Sequence, residues 1–219
     1  MTIKPPKPEK ISLRGPAGRL EALLEEPGGE AIRAIAVVCH PHPLYQGTMH
    51  NKVAHTLARA FHEMGVTTVR FNFRGVAESE GQYDEGIGET EDALSVLAWI
   101  QDRWPSSPSW LAGFTFGAWI ALKASSRAPH LAQLVTVAPP VERITADDIE
   151  YPSCPWLIVQ GSDDELVDCD AVISWVNQMP PGPELVVLEG VDHFFHGRLN
   201  DLKQTIVENV LKTSKAGND

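Results

Sequence analysis

Short apolar runs that alternate with amphipathic helical stretches constrain this 219-residue chain more than any other feature. Ala34-Ile35-Ala36-Val37-Val38-Cys39 is unbroken apolar sequence, which suits a strand only when both of its faces are covered. Lys52 to Met64 follows, with Val53, Leu57, Ala60, Phe61 and Met64 on one helical face. Strand-like stretches recur at 66–71, 110–112, 131–137, 156–160 and 185–188, and helical ones at 89–104, 116–126, 169–179 and 198–211. Ahead of them, 10–14 and 19–25 flank a Gly-Pro-Ala-Gly turn and read as an antiparallel hairpin. The alternation predicts an α/β chain, a three-layer α/β/α sandwich around a mostly parallel sheet. Such sheets bind ligands where loops leave the carboxyl ends of the strands, which singles out 39–49, 113–117, 161–168 and 190–196.

Residues 1–219 read as one domain, with a loose arm at 1–9 and a tail at 212–219. Charge narrows the function. Twenty-nine acidic against 18 basic residues give a net charge of −11, so counterion release does not drive nucleic-acid binding and an anionic membrane surface offers nothing. No apolar stretch is long enough to span a bilayer. Three cysteines, Cys39, Cys154 and Cys169, lie far apart without a CxxC, so neither a disulfide framework nor a thiolate zinc site is expected, and the cytoplasm is the expected compartment.

Gly113-Phe114-Thr115-Phe116-Gly117 lies between a strand and an apolar helix. Two glycines flanking a central residue permit a very tight turn that aims the central side chain at a helix N-terminus, the arrangement of a G-x-S-x-G nucleophile elbow. A strand–helix turn that merely packs gives the same pattern. A hydroxyl nucleophile needs a base, and the base an orienting acid. Of the histidines downstream of Thr115, His130 falls at the amino end of the sheet, whereas His193 lies just past the last strand. His193 is favoured, with His196 as competitor. Asp164, three residues past Gly161, is the favoured acid and Asp163 the second choice; Ser162 or Asp163 otherwise caps the following helix. The Phe116 N–H is one oxyanion donor. Pro41 and Pro43 lack an N–H, so the other donor is His42, with Leu44 next.

No metal or other cofactor is expected. His40, His42, His50, His55 and His62 lack the i,i+4 pair of a helical zinc site, and loop packing accounts for them better. Gly81 to Gly88 lacks the lysine and spacing of a phosphate loop, and Asp84, Glu85 and Glu89 would repel phosphate.

The segments CHPHPLYQGTMHNK, FNFRGVAESEG, GFTFGA, QGSDDELVD and DHFFHGRL, in this order, resemble the α/β-hydrolase superfamily, particularly small lid-less bacterial members related to dienelactone-hydrolase-like enzymes. The resemblance spans about residues 10 to 211. It implies a sheet of about eight strands with the second antiparallel, and hydrolysis of small carboxylic esters or thioesters through a nucleophile–His–Asp triad and a covalent acyl-enzyme. Many relatives insert a lid after the sixth strand; the segment from Ala138 to Pro155 is too short for one. An open site follows, with Trp119, Trp156 and Phe194 as candidates for an apolar floor and a small acyl compound as the expected partner.

Thr115 departs from the usual serine. A β-branched residue tolerates positive φ poorly, and its methyl restricts χ1 and crowds an incoming carbonyl. Crowding worth ~3–4 kcal/mol in the transition state slows a reaction about a hundred- to a thousandfold. The alternatives are therefore a slow hydrolase, or an acyl-binding or regulatory protein on the same scaffold.

Overall fold

The computed structural model describes residues 7–27, 34–144, 151–179 and 182–216. Its strands are β1 (Glu9–Gly15), β2 (Gly18–Glu25), β3 (Ile35–Cys39), β4 (Thr67–Phe71), β5 (Ser109–Phe114), β6 (Leu131–Val137), β7 (Trp156–Gly161) and β8 (Glu184–Leu188). Interspersed are helices α1 (Lys52–Glu63), α2 (Ile87–Arg103), α3 (Phe116–Ser125), α4 (Cys169–Val176) and α5 (Leu199–Ala216). The eight strands form one sheet in the order β1-β2-β4-β3-β5-β6-β7-β8. β2 runs antiparallel to both of its neighbours, and every pairing from β4 to β8 is parallel.

The unbroken apolar run of β3 is explained by its two covered faces. Ile35, Val37 and Cys39 join one core with α2, α3 and Val172 of α4, while Ala36 and Val38 join another with Val53, Leu57 and Phe61 of α1 and Leu202 and Ile206 of α5. Alternate residues of one strand therefore feed two layers of helix. α3 is buried nearly all round, as an apolar helix between layers must be.

Polar side chains set the helix starts. Asn51 Oδ1 accepts from the Val53 and Ala54 N–H groups at 2.9 and 3.3 Å, beginning α1. Asp168, not Ser162 or Asp163, caps α4 by accepting from the Asp170 N–H. The loop after β4 is fixed by Arg74, whose Nε and Nη2 bond both oxygens of the buried Asp92 at 3.0 and 2.7 Å.

At the chain ends, Glu9 already belongs to β1, and the stretch from 212 expected as a tail continues α5 through Ala216. Residues 1–6 and 217–219 lie outside the described residues. Among the described residues between β6 and β7 there is a single 3-10 turn, Val141–Arg143, and no lid. Among the described residues no helix is long and apolar enough to cross a membrane.

Candidate active site

The turn from β5 into α3 holds Thr115 at φ 48°, ψ −114°, a region L-residues rarely enter. Its glycines are required by contact. A Cβ at Gly113 would collide with the Gly117 carbonyl oxygen, and one at Gly117 with the carbonyl oxygens of Cys39 and His40. Packing and presentation of the central residue are thus one device. The Thr115 N–H donates to the Val137 carbonyl, and its own carbonyl accepts from Ala118 and Trp119. Its side chain caps no helix N–H. The Phe116 N–H, at the first helical position, has no acceptor among the described residues.

The loop after β3 passes directly over that turn. His40 is fully buried: its Nδ1 meets the Pro41 carbonyl at 2.6 Å and its Nε2 accepts from the Phe73 N–H at 3.1 Å. Burial pulls its pKa down to about 4, so the ring is neutral with its proton on Nδ1. His42 opens a 3-10 turn, and its Nδ1 accepts from the Leu44 N–H at 3.2 Å. Leu44 is thereby engaged, whereas the His42 N–H has no partner among the described residues. The His42 ring packs on Phe116, Tyr45 and Tyr83 at 4.8, 4.8 and 5.1 Å, with Nε2 3.3 Å from the Tyr83 hydroxyl. Burial, then the Arg143 charge, hold His42 below the usual imidazole range.

Acid and histidine leave adjacent strands, β7 and β8. Asp164 Oδ1 accepts from the Leu166 and Val167 N–H groups at 2.9 and 2.8 Å. The Gln160 amide donates to Oδ2 at 3.0 Å. His193 Nδ1 lies 2.9 and 2.8 Å from the two carboxylate oxygens, and its side chain is 2% exposed. Burial pushes the Asp164 carboxyl up, but the bonds from His193, Val167 and Leu166 outweigh it and leave it below its ordinary value. The imidazole packs between Phe114 and Phe194, at ring distances of 5.0 and 4.9 Å. Two loops are laced together around this pair: Ser162 Oγ accepts from the Gly190 N–H at 2.8 Å and Glu165 Oε2 from the His193 N–H at 3.2 Å. A Cβ at Gly161 would strike the Val191 carbonyl oxygen.

Asp164 and His193 are therefore brought together, and Thr115 follows directly on Phe114, which stacks on the imidazole. No hydrogen bond joins the Thr115 hydroxyl to His193 among the described residues. His196 is exposed and bonds Asp192 at 2.8 Å in the loop ahead of α5. Asp163 is exposed, and its carboxylate accepts from Ser162. Of the expected floor, Trp119 packs under Phe116 at 5.7 Å and Phe194 stands at the rim. Trp156 does not belong to it: it opens β7 at the amino end, its indole N–H on Thr136 and its ring on Trp175. Sequence reasoning missed Gln160, Ser162, Glu165 and Tyr83. Only Gln160, an amide in the otherwise apolar strand WLIVQG, stood out. No cluster of three metal-binding side chains occurs among the described residues.

Residues 18–151 match the family described as X-Pro dipeptidyl-peptidase (S15 family). An α/β serine hydrolase homologue from Coxiella burnetii is 47% identical, with 92% of this chain and 96% of that one covered and a TM-score of 0.88. A lid-less serine hydrolase from Xanthomonas campestris is 38% identical over 97% of each chain, with a TM-score of 0.89. An uncharacterized protein of Rickettsia prowazekii is 36% identical over 90% of this chain and 86% of its own length. Hydrolysis is the class of reaction this scaffold serves in such relatives. Likeness this extensive, added to a family match over more than half the chain, establishes kinship: the chain belongs to the S15 family within the α/β-hydrolase superfamily and carries no lid.

Proposed function

We propose that the chain hydrolyses small carboxylic esters or thioesters, with Thr115 as nucleophile, His193 as base and Asp164 as the group that orients it. The observation that carries this reading is the buried imidazole held on both oxygens of a carboxylate, beside an elbow whose central residue sits at positive φ. Such a carboxylate fixes the proton on Nδ1 and leaves Nε2 free to accept one. Nε2 takes the Thr115 hydroxyl proton as the oxygen bonds the acyl carbon, and the Phe116 and His42 N–H groups receive the oxyanion. The bond to the leaving oxygen or sulfur then breaks, and the imidazolium gives that atom its proton. Water attacks the acyl-threonine by the reverse proton path, releasing the acid and restoring the hydroxyl.

Thr115 favours a second reading. Attack requires its hydroxyl to reach Nε2, and β-branching restricts the χ1 rotamers open to it. A protein that binds acyl compounds without turning them over would tolerate this.

Turnover of 4-nitrophenyl acetate and butyrate, and of an X-Pro dipeptide anilide, separates the two. Hydrolysis expects Thr115→Ser to be faster than wild type by about a hundredfold, the methyl crowding being removed, and His193→Ala to be silent. Wild type, Thr115→Ser and His193→Ala all matching a buffer blank would favour acyl binding.

A further inference from the structure

We infer that the cavity beside His193 is a subsite for the leaving-group half of an ester whose far end carries a carboxylate. The cavity encloses about 530 Å³ between the start of α1 and the loop that follows His193, a volume within the usual range for small-molecule sites. Its apolar wall includes Phe194, whose ring meets the His193 imidazole edge-on. An imidazole that protonates a leaving oxygen must lie against the alcohol half of the ester, and the cavity opens one residue beyond it.

Lys52 is the one charged residue in the lining of this cavity, beside the polar Thr48, Asn51, His50 and His196, and no aspartate or glutamate lines it, in a chain with 29 acids against 18 basic residues. Lys52 is the exposed first residue of α1. Asn51 consumes the Val53 and Ala54 N–H groups. Asp192, the acid that holds His196 Nδ1, lies outside the lining. An apolar wall with one ammonium and no carboxylate at its rim selects a ring or short chain that ends in an anion. Lys52 is solvent-exposed, so its pull is modest and salt-sensitive, about fivefold in affinity. Assignment to the leaving-group half rests on the hydrolytic reading; carboxylate binding does not.

Calorimetric titration of the full chain with 3-(4-hydroxyphenyl)propionate and with its primary amide, at low salt, tests the subsite without turnover. Wild type and Lys10→Gln, a net-charge control on β1, should bind the acid about fivefold tighter than the amide, and Lys52→Gln should bring the two within about twofold. Equal affinities in wild type, binding of neither compound, or a preference that survives Lys52→Gln overturns the inference. The acetyl esters of the same two alcohols, assayed on Thr115→Ser, judge hydrolysis separately. A binding preference without cleavage of either ester sinks the hydrolytic reading and leaves a carboxylate site. Cleavage of both esters at equal kcat/KM, with equal binding, sinks the subsite and leaves hydrolysis.

Discussion

His40 should make this fold acid-sensitive. Its neutral ring spans two loops, donating from Nδ1 to the Pro41 carbonyl and accepting the Phe73 N–H at Nε2. A proton on Nε2 would set two donors face to face, and burial, outweighing the Pro41 hydrogen bond that pulls the other way, lowers its pKa from 6.5 to about 4. The unfolded chain then binds the extra proton between pH 6.5 and 4, so stability from this group is complete above 6.5 and is lost as the pH falls. A shift of about 2.5 units corresponds to ~3 kcal/mol in all, of which ~2 kcal/mol goes between pH 7.5 and 5. At an m-value of ~2 kcal/mol/M, that is a fall of ~1 M in the urea midpoint. His55 and His62, also lowered chiefly by burial, add to the slope in the same direction, so the variant His40→Gln is the informative comparison. Its amide oxygen can still accept from Phe73, and its pH slope should be shallower by ~2 kcal/mol over the same interval. Parallel wild-type and variant curves would refute the reasoning. So would an NMR titration in which the His40 ring protonates near 6.5.

Asp164→Asn removes the anion that fixes the His193 tautomer, and should lower kcat on the fastest ester by about 10³- to 10⁴-fold while urea unfolding shows the fold intact. Gly161→Ala drives a methyl into the Val191 carbonyl; it should cost ~1–3 kcal/mol in chemical denaturation and depress turnover by parting the acid and histidine loops. Arg74→Leu strands the buried Asp92 carboxylate and should cost ~3–5 kcal/mol, measured by urea midpoint, whereas a loss under ~1 kcal/mol would mean the pair contributes little.

Most of the scaffold was legible because it follows from local period. A run such as Ala34–Cys39 admits few partners, and Gly113 and Gly117 mark a turn that no bulkier pair fits. Position past a strand points to His193 and Asp164 as candidates, and the structure pairs the two side chains. What stayed hidden depends on register between strands. Ser162 reaches Gly190 only because β7 and β8 pair Gly161 with Leu188. Tyr83 meets His42 through a loop whose path the sequence leaves open. Ser162 and Asp163 do not cap α4 because Ser162 bonds Gly190 and Asp163, and the Leu166 and Val167 N–H groups that follow are spent on the Asp164 carboxylate, so the cap falls on Asp168. Trp156 was misjudged because an aromatic at the start of a strand was credited to its far end.

β8 is the last strand of the sheet and is only half-buried along its length. The imidazole hangs from this margin, while the elbow is rooted in the middle strand β5. Heat or mild denaturant that peels the margin would silence the protein while its centre stays folded, so loss of turnover should precede loss of helical circular dichroism. In such a molecule the working temperature is set by one outlying ribbon.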